Sequence, residues 1–408
     1  MANMELMESL AFPPNPCIIG AMISPYPFKP RGRLLDVMRQ VGDPNLINLA
    51  AGLPSNQCIP KADLREAFAA TLEENADEAL GYHVPDGDVR LRELLVNRFR
   101  HRGINTSADQ MVITTGCSQG LHGMIRLIAK SGDVVACEAP AYYSTLEIMG
   151  DLGVNVLPIP VRDSEGIDFE LTQTLFRRFK PKLFVLCSTL SNPSGATVPN
   201  EIRKALVELC RETGTRILED EIYGELSEIS DLKPIRAYDD GSTVSYVTSF
   251  SKTVAPGLRV GVCLPGLNAN AFALQKCQQD MHSATLCEVA FRRYFETGRF
   301  DSHLDFLRRL NRERRELGLR IIKECFPASV KVWEPAGGFL LWVELPPDVQ
   351  VKQVYKSALA QKVAFCHGAA FFTSEEQQVS AMRLNCSRPS EDQLVKGLKI
   401  LGQIMQRA

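Results

Sequence analysis

Along most of the chain after residue 48, short apolar segments alternate with longer segments of helical character, and this order restricts the possible folds most. MVITTG (residues 111–116) precedes the helix-like CSQGLHGMIRLIAK, and DVVACEAP (133–140) precedes YYSTLEIMGDLG. KLFVLCST (182–189), TRILEDEI (215–222) and VSYVTSF (244–250) continue the pattern. Short β-rich runs between helices predict an α/β fold whose mostly parallel central sheet is sandwiched by helices.

The C-terminal quarter has a different pattern, which predicts a smaller α+β domain. Residues 300–326 are expected to form one long, charged helix, followed by three strand-like runs and a closing amphipathic helix. Before residue 48 the chain is rich in proline, which is typical of an extended arm. We therefore divide the chain into an arm at 1–47 that joins the small domain, a large domain at 48–299, and a linker helix with the small domain at 300–408.

Composition excludes several classes of function. The 408 residues carry a formal net charge of −2, which gives no reason to expect a nucleic-acid partner. The 12 cysteines include no CxxC pair, so reduced thiols are expected rather than disulfides or a metal site. The N-terminus has no basic segment typical of a secretory signal, and no apolar run is long enough to span a membrane. These features predict a cytoplasmic protein without a metal.

Lys252 is the candidate catalytic residue. In TSFSKTVAPGLRVG (248–261), an apolar strand leads into a turn that contains Ser249, Ser251 and Lys252, and Arg259 follows seven residues after the lysine. A lysine amine forms an imine with an aldehyde, while hydroxyls and a guanidinium hold a phosphate. This spacing therefore indicates a phosphorylated aldehyde cofactor.

Six other motifs occur at intervals that agree with this interpretation. They are INLAAGLPS (47–55), TTGCSQGL (114–121), EAPAYYSTLE (138–147), STLSNPSG (188–195), ILEDEIYGEL (217–226) and AMRLNCS (381–387). Each has an ordinary interpretation when taken alone: a turn, a solvated carboxylate cluster, a core tyrosine or a surface arginine. Their order and spacing relative to Lys252 favour the functional interpretation.

From about Leu49 to Ser387, these motifs resemble the fold-type I pyridoxal-phosphate enzymes of the class I and II aminotransferase family. The resemblance is closest to the subgroup of 2-aminoadipate-type aminotransferases and the effector domains of MocR-type regulators. It implies a pyridoxal 5'-phosphate cofactor bound by the large domain through a Schiff base to Lys252.

The resemblance assigns the cofactor-binding residues one by one. A carboxylate at Asp220 pairs with the protonated ring nitrogen, Asn192 and Tyr223 bind the phenolic oxygen, and Tyr142 stacks on the ring. The turn before a helix supplies phosphate-binding groups at Gly116, Cys117, Ser118 and Gln119. The family more often has Ser-Gln-Gln in this turn, so Cys117 is a departure, but backbone donors do not depend on the side chain. Only one of Tyr142 and Tyr143 can stack, and motif position favours Tyr142.

The remaining assignments concern the substrate and a second subunit. Arg383 matches the arginine that binds the substrate α-carboxylate, with Asn192 beside it, and Gly52 allows close approach of the substrate to the backbone. Tyr82, in GYHVPDG, matches a tyrosine that reaches the cofactor phosphate of the neighbouring subunit. The resemblance thus implies a homodimer with shared active sites.

The expected function is transfer of an amino group between an amino acid and a 2-oxo acid. One alternative is another reaction of the same cofactor, such as elimination, decarboxylation, racemisation or an oxidase-like reaction. A second alternative is a ligand-sensing domain of a transcription factor, but only about 47 residues precede the Gly52 segment, too few for a winged-helix domain. Two substrate preferences stay open: Arg31 and Arg33 suit an acidic side chain, whereas Phe12, Tyr26 and Phe28 suit an aromatic or apolar one.

Overall fold

The computed structural model describes residues 25–30, 32, 35, 37, 39, 43–163, 166–346, 349–373 and 380–407. Its strands are β1 (Tyr26–Pro27), β2 (Ile47–Asn48), β3 (Val112–Thr115), β4 (Val134–Ala139), β5 (Asn155–Asp163), β6 (Gly166–Ile167), β7 (Leu183–Leu186), β8 (Arg216–Asp220), β9 (Val244–Ser249), β10 (Val260–Leu264), β11 (Lys331–Trp333), β12 (Leu340–Glu344), β13 (Val363–Ala364), β14 (Cys366–His367) and β15 (Ala381–Asn385).

The helices of the described residues cover both the large and the small unit. They are α1 (Lys61–Glu74), α2 (Ala76–Leu80), α3 (Val89–His101), α4 (Cys117–Ile128), α5 (Tyr143–Asp151), α6 (Phe169–Phe179), α7 (Asn200–Thr213), α8 (Ala269–Asp280), α9 (Thr285–Glu296), α10 (Arg299–Cys325), α11 (Val351–Ala360) and α12 (Glu391–Met405).

The large sheet confirms the predicted fold class. Within the described residues its strand order is β1-β5-β4-β7-β8-β9-β10-β3, with β6 paired to β5. The five strands from β5 to β9 in that order pair in parallel, and the pairs at both ends are antiparallel. Every residue of β7 and β9 is buried, as expected for parallel strands that are covered by helices on both faces.

The predicted long helix is present as α10, which has 27 residues. One face of α10 buries Leu304, Leu307 and Ile321, while its arginines and glutamates mostly face outward. After α10, strands β11, β12, β15 and β14 form an antiparallel sheet. The closing helix α12 begins with a capping box between Ser390 and Gln393.

VAFCHGAAFF (363–372) is one of the three strand-like runs that the sequence predicts after the long helix, and in the structure it divides at Phe365. Val363 and Ala364 (β13) pair in parallel with β2, whereas Cys366 and His367 (β14) pair with β15. The division arises because the backbone groups on the two sides of Phe365 find partners in different sheets. The β2–β13 pair attaches the segment around residue 48 to the C-terminal unit, and the domain boundaries proposed from the sequence stay a prediction.

The N-terminal arm lies mostly outside the described residues, and Phe12, Arg31 and Arg33 are among those. Tyr26 belongs to edge strand β1 and its hydroxyl contacts that of Thr373. Phe28 is buried in the core against Gly150, so its side chain does not face the cavity described below. No helix of the described residues is both long and apolar enough to cross a membrane.

Candidate active site

The candidate residues meet at one edge of the large sheet. Because β3, β4, β7, β8 and β9 run in the same direction, their carboxyl ends share that edge, where ligands bind in open α/β sheets. A cavity of about 410 Å³ lies there. Of the residues singled out from the sequence, the following line it: Gly52, Cys117, Ser118, Tyr142, Asn192, Asp220, Tyr223, Ser249, Ser251, Lys252 and Arg259.

Lys252 lies in the turn after β9. The Ser249 hydroxyl accepts a hydrogen bond from the Ser251 amide at 3.1 Å, which shapes this turn. The Lys252 ammonium donates to the carbonyl oxygen of Gly52 at 2.7 Å. Burial, reinforced by the positive charge of Arg383 and opposed by Asp220, lowers the pKa of Lys252 to about 8. The neutral, nucleophilic amine is therefore accessible near neutral pH.

Asp220 ends strand β8 and is buried at the base of the cavity. Its Oδ1 accepts hydrogen bonds from the Cys117 thiol at 3.4 Å and from the Ile222 amide at 3.1 Å. Burial raises the pKa of Asp220 to about 6, although these two hydrogen bonds favour the charged form. A buried carboxylate of this kind is suited to a cationic ring nitrogen, because the pair would neutralise its charge.

Arg383, on β15, is fully buried and does not itself line the cavity, but it contacts Asn192, which does. Its Nη1 donates to Asn192 Oδ1 at 2.6 Å, and its Nη2 donates to the carbonyl oxygen of Ala50. A Cβ added to Gly52 would lie 3.5 Å from Nη1, so the backbone passes close to the guanidinium. Its Nε is buried with no hydrogen-bond partner among the described residues, which leaves a donor for an anionic ligand.

Arg259 lines the cavity together with Cys117 and Ser118 of the first turn of α4, whereas Gly116 and Gln119 of the same turn do not line it. Gly116 has a φ of 78°, and a Cβ there would lie 2.3 Å from Arg259 Nη2. Glycine is required in this turn because any side chain would collide with the guanidinium. Arg259 Nη2 donates to the carbonyl oxygen of Thr115 at 3.0 Å. The Gln119 side chain hydrogen-bonds to the Thr115 backbone amide and to Asp280. Only the backbone N–H of Gln119 is therefore available to a ligand in this turn.

Both tyrosines of EAPAYY line the cavity, and they differ in surroundings. Tyr142 is half-buried, and Tyr143 is buried between Phe371 and Arg383, with the guanidinium carbon 5.9 Å from its ring centroid. Tyr223 is buried with its ring 5.9 Å from the Lys252 ammonium. The stacking role predicted for Tyr142 stays a prediction, since both rings are adjacent at 4.7 Å.

Tyr82 does not line the cavity of its own chain. Its side chain is 86% exposed and contacts the His282 ring edge-on at 5.7 Å. This exposure leaves the tyrosine available to another molecule, as the assignment to a neighbouring subunit requires.

Two residues near the cavity were not singled out from the sequence. Glu138 is buried and accepts hydrogen bonds from the Cys187 amide at 3.0 Å and the Ser191 hydroxyl at 2.9 Å, and burial raises its pKa to about 8. Asn385, two positions after Arg383 on β15, donates to the carbonyl oxygens of Ala51 and Leu53. The alternation of β15 gave a signal for Asn385, because residues two apart share a face of a strand.

A buried ionic cluster lies behind the strand ends. Arg203, on α7, donates to the carbonyl oxygens of Ser188 and Val198, both at 2.7 Å, and approaches Glu221 Oε1 at 3.4 Å. Burial raises the pKa of Glu221, but Arg102 and Arg203 outweigh it and hold that pKa below its usual range. Burial and the neighbouring Glu221 raise the pKa of Glu219 to about 7. The cluster fixes the loops that carry Asn192 and Asp220.

Residues 44–401 match the family model described as aminotransferase class I and II. The chain belongs to this family. The aromatic-amino-acid aminotransferase 1 of Thermococcus litoralis is 30% identical over 383 residues, which cover 91% of this chain and 90% of that protein. The uncharacterised HTH-type transcriptional regulator YjiR of Escherichia coli is 28% identical, over 98% of this chain and 85% of the regulator.

The fold of this aminotransferase is also that of solved relatives. The α-aminoadipate aminotransferase of Thermus thermophilus, crystallised with N-(5'-phosphopyridoxyl)-L-leucine, superposes with a TM-score of 0.85 at 25% identity, covering 95% of this chain and 96% of that one. The protein is a pyridoxal-phosphate-dependent aminotransferase.

The cavity fits pyridoxal phosphate at each of its functional groups. At Gly116 the backbone lies so close to the Arg259 guanidinium that a Cβ would collide with it. The turn is therefore next to a cation, and the Ser249 and Ser251 hydroxyls line the same cavity, which suits a phosphate. The Lys252 amine suits the aldehyde, and the Asp220 carboxylate suits the ring nitrogen. Arg383, which contacts the lining residue Asn192, has a buried Nε without a partner among the described residues, and this donor suits a substrate carboxylate.

Proposed function

We propose that this aminotransferase holds its cofactor through Lys252 and Asp220 and binds the α-carboxylate of amino acids and 2-oxo acids at Arg383. The observation that carries the proposal is the convergence of Lys252, Asp220, Asn192 and Arg259 on one cavity, from four separate strand ends. The unpartnered Nε of Arg383 supports the carboxylate site, because a buried guanidinium donor without a partner is costly.

When bound, pyridoxal phosphate supplies an aldehyde carbon and an electron-withdrawing ring that acidifies the substrate's Cα–H bond. Lys252 Nζ, with a pKa of about 8, removes the Cα proton as general base and holds it close to the reacting atoms. Asp220 holds a proton on the ring nitrogen, because its buried carboxylate is stabilised by a cation. Asn192 orients Arg383 through the 2.6 Å hydrogen bond and faces the ring's oxygen side.

At the phosphate end, the Gly116–Gln119 turn, Ser249, Ser251 and Arg259 bind the phosphate, and Tyr142 stacks on the ring. Gly52 keeps the substrate side open, and its carbonyl oxygen accepts a hydrogen bond from Lys252 Nζ at 2.7 Å. Tyr223 donates its hydroxyl to the ring oxygen.

The protein acts as a homodimer in the cytoplasm, in amino-acid metabolism, and Tyr82 completes the phosphate site of the neighbouring subunit. Exposed apolar side chains occur close to this tyrosine in sequence: Leu80 is 67% exposed, and Val84 and Val89 are each 49% exposed. Exposed apolar side chains in a segment that carries a predicted inter-subunit contact support a dimer.

Isotope transfer tests the reaction and separates it from the alternative reactions of the same cofactor. The enzyme is incubated with a panel of 15N-labelled amino acids and an unlabelled 2-oxo acid, and products are followed by mass spectrometry. We expect 15N in the amino acid derived from the oxo acid, and Lys252→Ala should abolish this transfer, whereas Lys204→Ala, a change at an exposed lysine, should not. Release of the label as ammonia, or loss of CO₂ without transfer, would instead establish a lyase or a decarboxylase.

A further inference from the structure

Each polar atom of Thr115, the residue before the proposed phosphate-binding turn, takes part in a hydrogen bond. Its amide donates to Gln119 Oε1 at 2.8 Å, and its carbonyl oxygen accepts from Arg259 Nη2 at 3.0 Å. Its hydroxyl donates to Asp280 Oδ2 at 3.2 Å and lies 3.3 Å from the Ser283 hydroxyl. The conformation of Gly116, the next residue, therefore depends on what holds Thr115.

Asp280 is the common partner of this arrangement, although it is 165 residues from Thr115 in sequence. Its Oδ2 also accepts from Gln119 Nε2 at 2.7 Å, and this bond aims the Gln119 carbonyl at the Thr115 amide. Its Oδ1 accepts from Lys276 Nζ at 3.0 Å. Asp280 itself does not line the cavity, so it has no contact with the cofactor site except through these residues.

The ion pair with Lys276 fixes the position of the Asp280 carboxylate. The lysine is only 1% exposed and lies one helical turn before Asp280 on α8, so the cation of this ion pair is shielded from water, whereas the Asp280 side chain is 27% exposed. Helix α8 is itself packed against α4. A Cβ added at Gly123 of α4 would lie 2.7 Å from the Phe272 ring, and Gln275 Nε2 donates to the Gly123 carbonyl oxygen at 3.3 Å.

We propose that Asp280, supported by Lys276, is a positioning residue that holds the Thr115–Gln119 turn in the geometry that binds the cofactor phosphate. This rests on the proposed function, in which that turn receives the phosphate. Asp280 fixes the backbone N–H groups of this turn in position before the phosphate binds. Loss of Asp280 therefore lowers the affinity of the protein for the phosphate group but leaves its contacts with the aldehyde and the ring of the cofactor intact.

Comparison of two cofactor forms tests this role without relying on turnover. Dissociation constants for pyridoxal phosphate and for pyridoxal, which lacks the phosphate, are measured by absorbance titration of the cofactor-free protein. Asp280→Ala should weaken pyridoxal phosphate binding by about tenfold or more, as expected for lost hydrogen bonds to a charged group, and change pyridoxal binding by less than about twofold. Lys276→Met should act in the same direction with a smaller effect.

Asp151→Asn, at an exposed carboxylate on α5, is the matched control and should alter neither constant. Circular dichroism and the thermal midpoint of the cofactor-free variants show whether they fold. Equal losses of affinity for both ligands in Asp280→Ala would mean that the residue only stabilises the fold, and an unchanged affinity for pyridoxal phosphate would also overturn the proposal. Failure of the wild type to bind either ligand would refute the proposed function instead.

Discussion

At the scale of single residues, the chemistry depends on how the cavity changes the affinity of Lys252 for a proton. The pKa of a lysine side chain in water is about 10.4. Burial and the nearby Arg383 guanidinium disfavour the charged amine, and Asp220 only partly compensates, which gives a pKa of about 8. Arg383, which we propose binds the substrate carboxylate, thus also helps to keep the lysine nucleophilic.

This shift predicts how reconstitution with cofactor depends on pH. Only the neutral amine attacks the aldehyde, so the rate for cofactor-free protein should rise through about pH 8 and level off above it. The rate rises with pH because the amine loses its proton as the pH passes about 8, well below the pH at which an ordinary lysine loses it. Stopped-flow absorbance after addition of pyridoxal phosphate measures the rate. A rate that still climbs steeply between pH 9 and 10, by roughly tenfold per unit as for a lysine of ordinary pKa, would contradict this explanation.

At the scale of elements, each site loop is held by side chains from a neighbouring helix. Arg203 of α7 fastens the loop that carries Asn192 to the end of β8 that carries Asp220, and Asp280 of α8 fastens the turn before α4. Parallel strands bring their loops to one edge, where the loops contact one another, and side chains of α7 and α8 give two of these loops further fixed points.

Loss of the Arg203 side chain should destabilise the protein strongly. Arg203→Met removes the hydrogen bonds to the carbonyl oxygens of Val198, Lys233 and Ser188 and leaves the buried Glu219 and Glu221 with less positive charge. Breaking a buried pair in this way costs about 3–5 kcal/mol. Urea unfolding of the cofactor-free protein should therefore show a clearly lower midpoint.

The control for this change is Arg177→Met, which breaks an exposed ion pair with Glu212 and should leave the midpoint unchanged. Equal midpoints for the two variants would show that the buried cluster does not stabilise the fold.

The elements also show what the sequence can and cannot predict. Alternating patterns predicted the parallel sheet and the helix α10. The motifs and their spacing predicted that Lys252, Asp220 and Asn192 share one site, and all three line one cavity. Asp280 and Glu138 escaped prediction because their partners lie far away in sequence, and no local pattern encodes such contacts. Which of Tyr142 and Tyr143 stacks on the cofactor ring depends on the orientation of each side chain. The sequence does not specify this orientation for two consecutive tyrosines at the start of a helix.

At the scale of the whole molecule, α8 connects the Thr115–Gln119 turn, which we propose binds the phosphate, with the exposed surface around Tyr82. Asp280 ends α8, and two residues later the His282 ring contacts Tyr82. Met281 between them adopts a φ of 61°, so the chain turns sharply from the phosphate-binding side to this surface. A neighbouring subunit bound here would lie next to the loop that positions the phosphate site.

Mixing two variants that have low activity at limiting cofactor tests whether subunits share their sites. Lys252→Ala removes the proposed nucleophile. Tyr82→Ala removes the hydrogen bond that we propose it makes to the phosphate, which should lower cofactor affinity by about tenfold or more and so suppress activity at limiting cofactor. If Tyr82 acts on the neighbouring subunit, each hybrid dimer contains one site with both residues intact. Random exchange in a symmetric dimer should then recover about one quarter of wild-type activity. Recovery is measured after the two purified variants are mixed under conditions of subunit exchange, with each variant alone as the reference. If Tyr82 instead served its own subunit, no hybrid site would be intact, and the mixture would show only the average of the two variants.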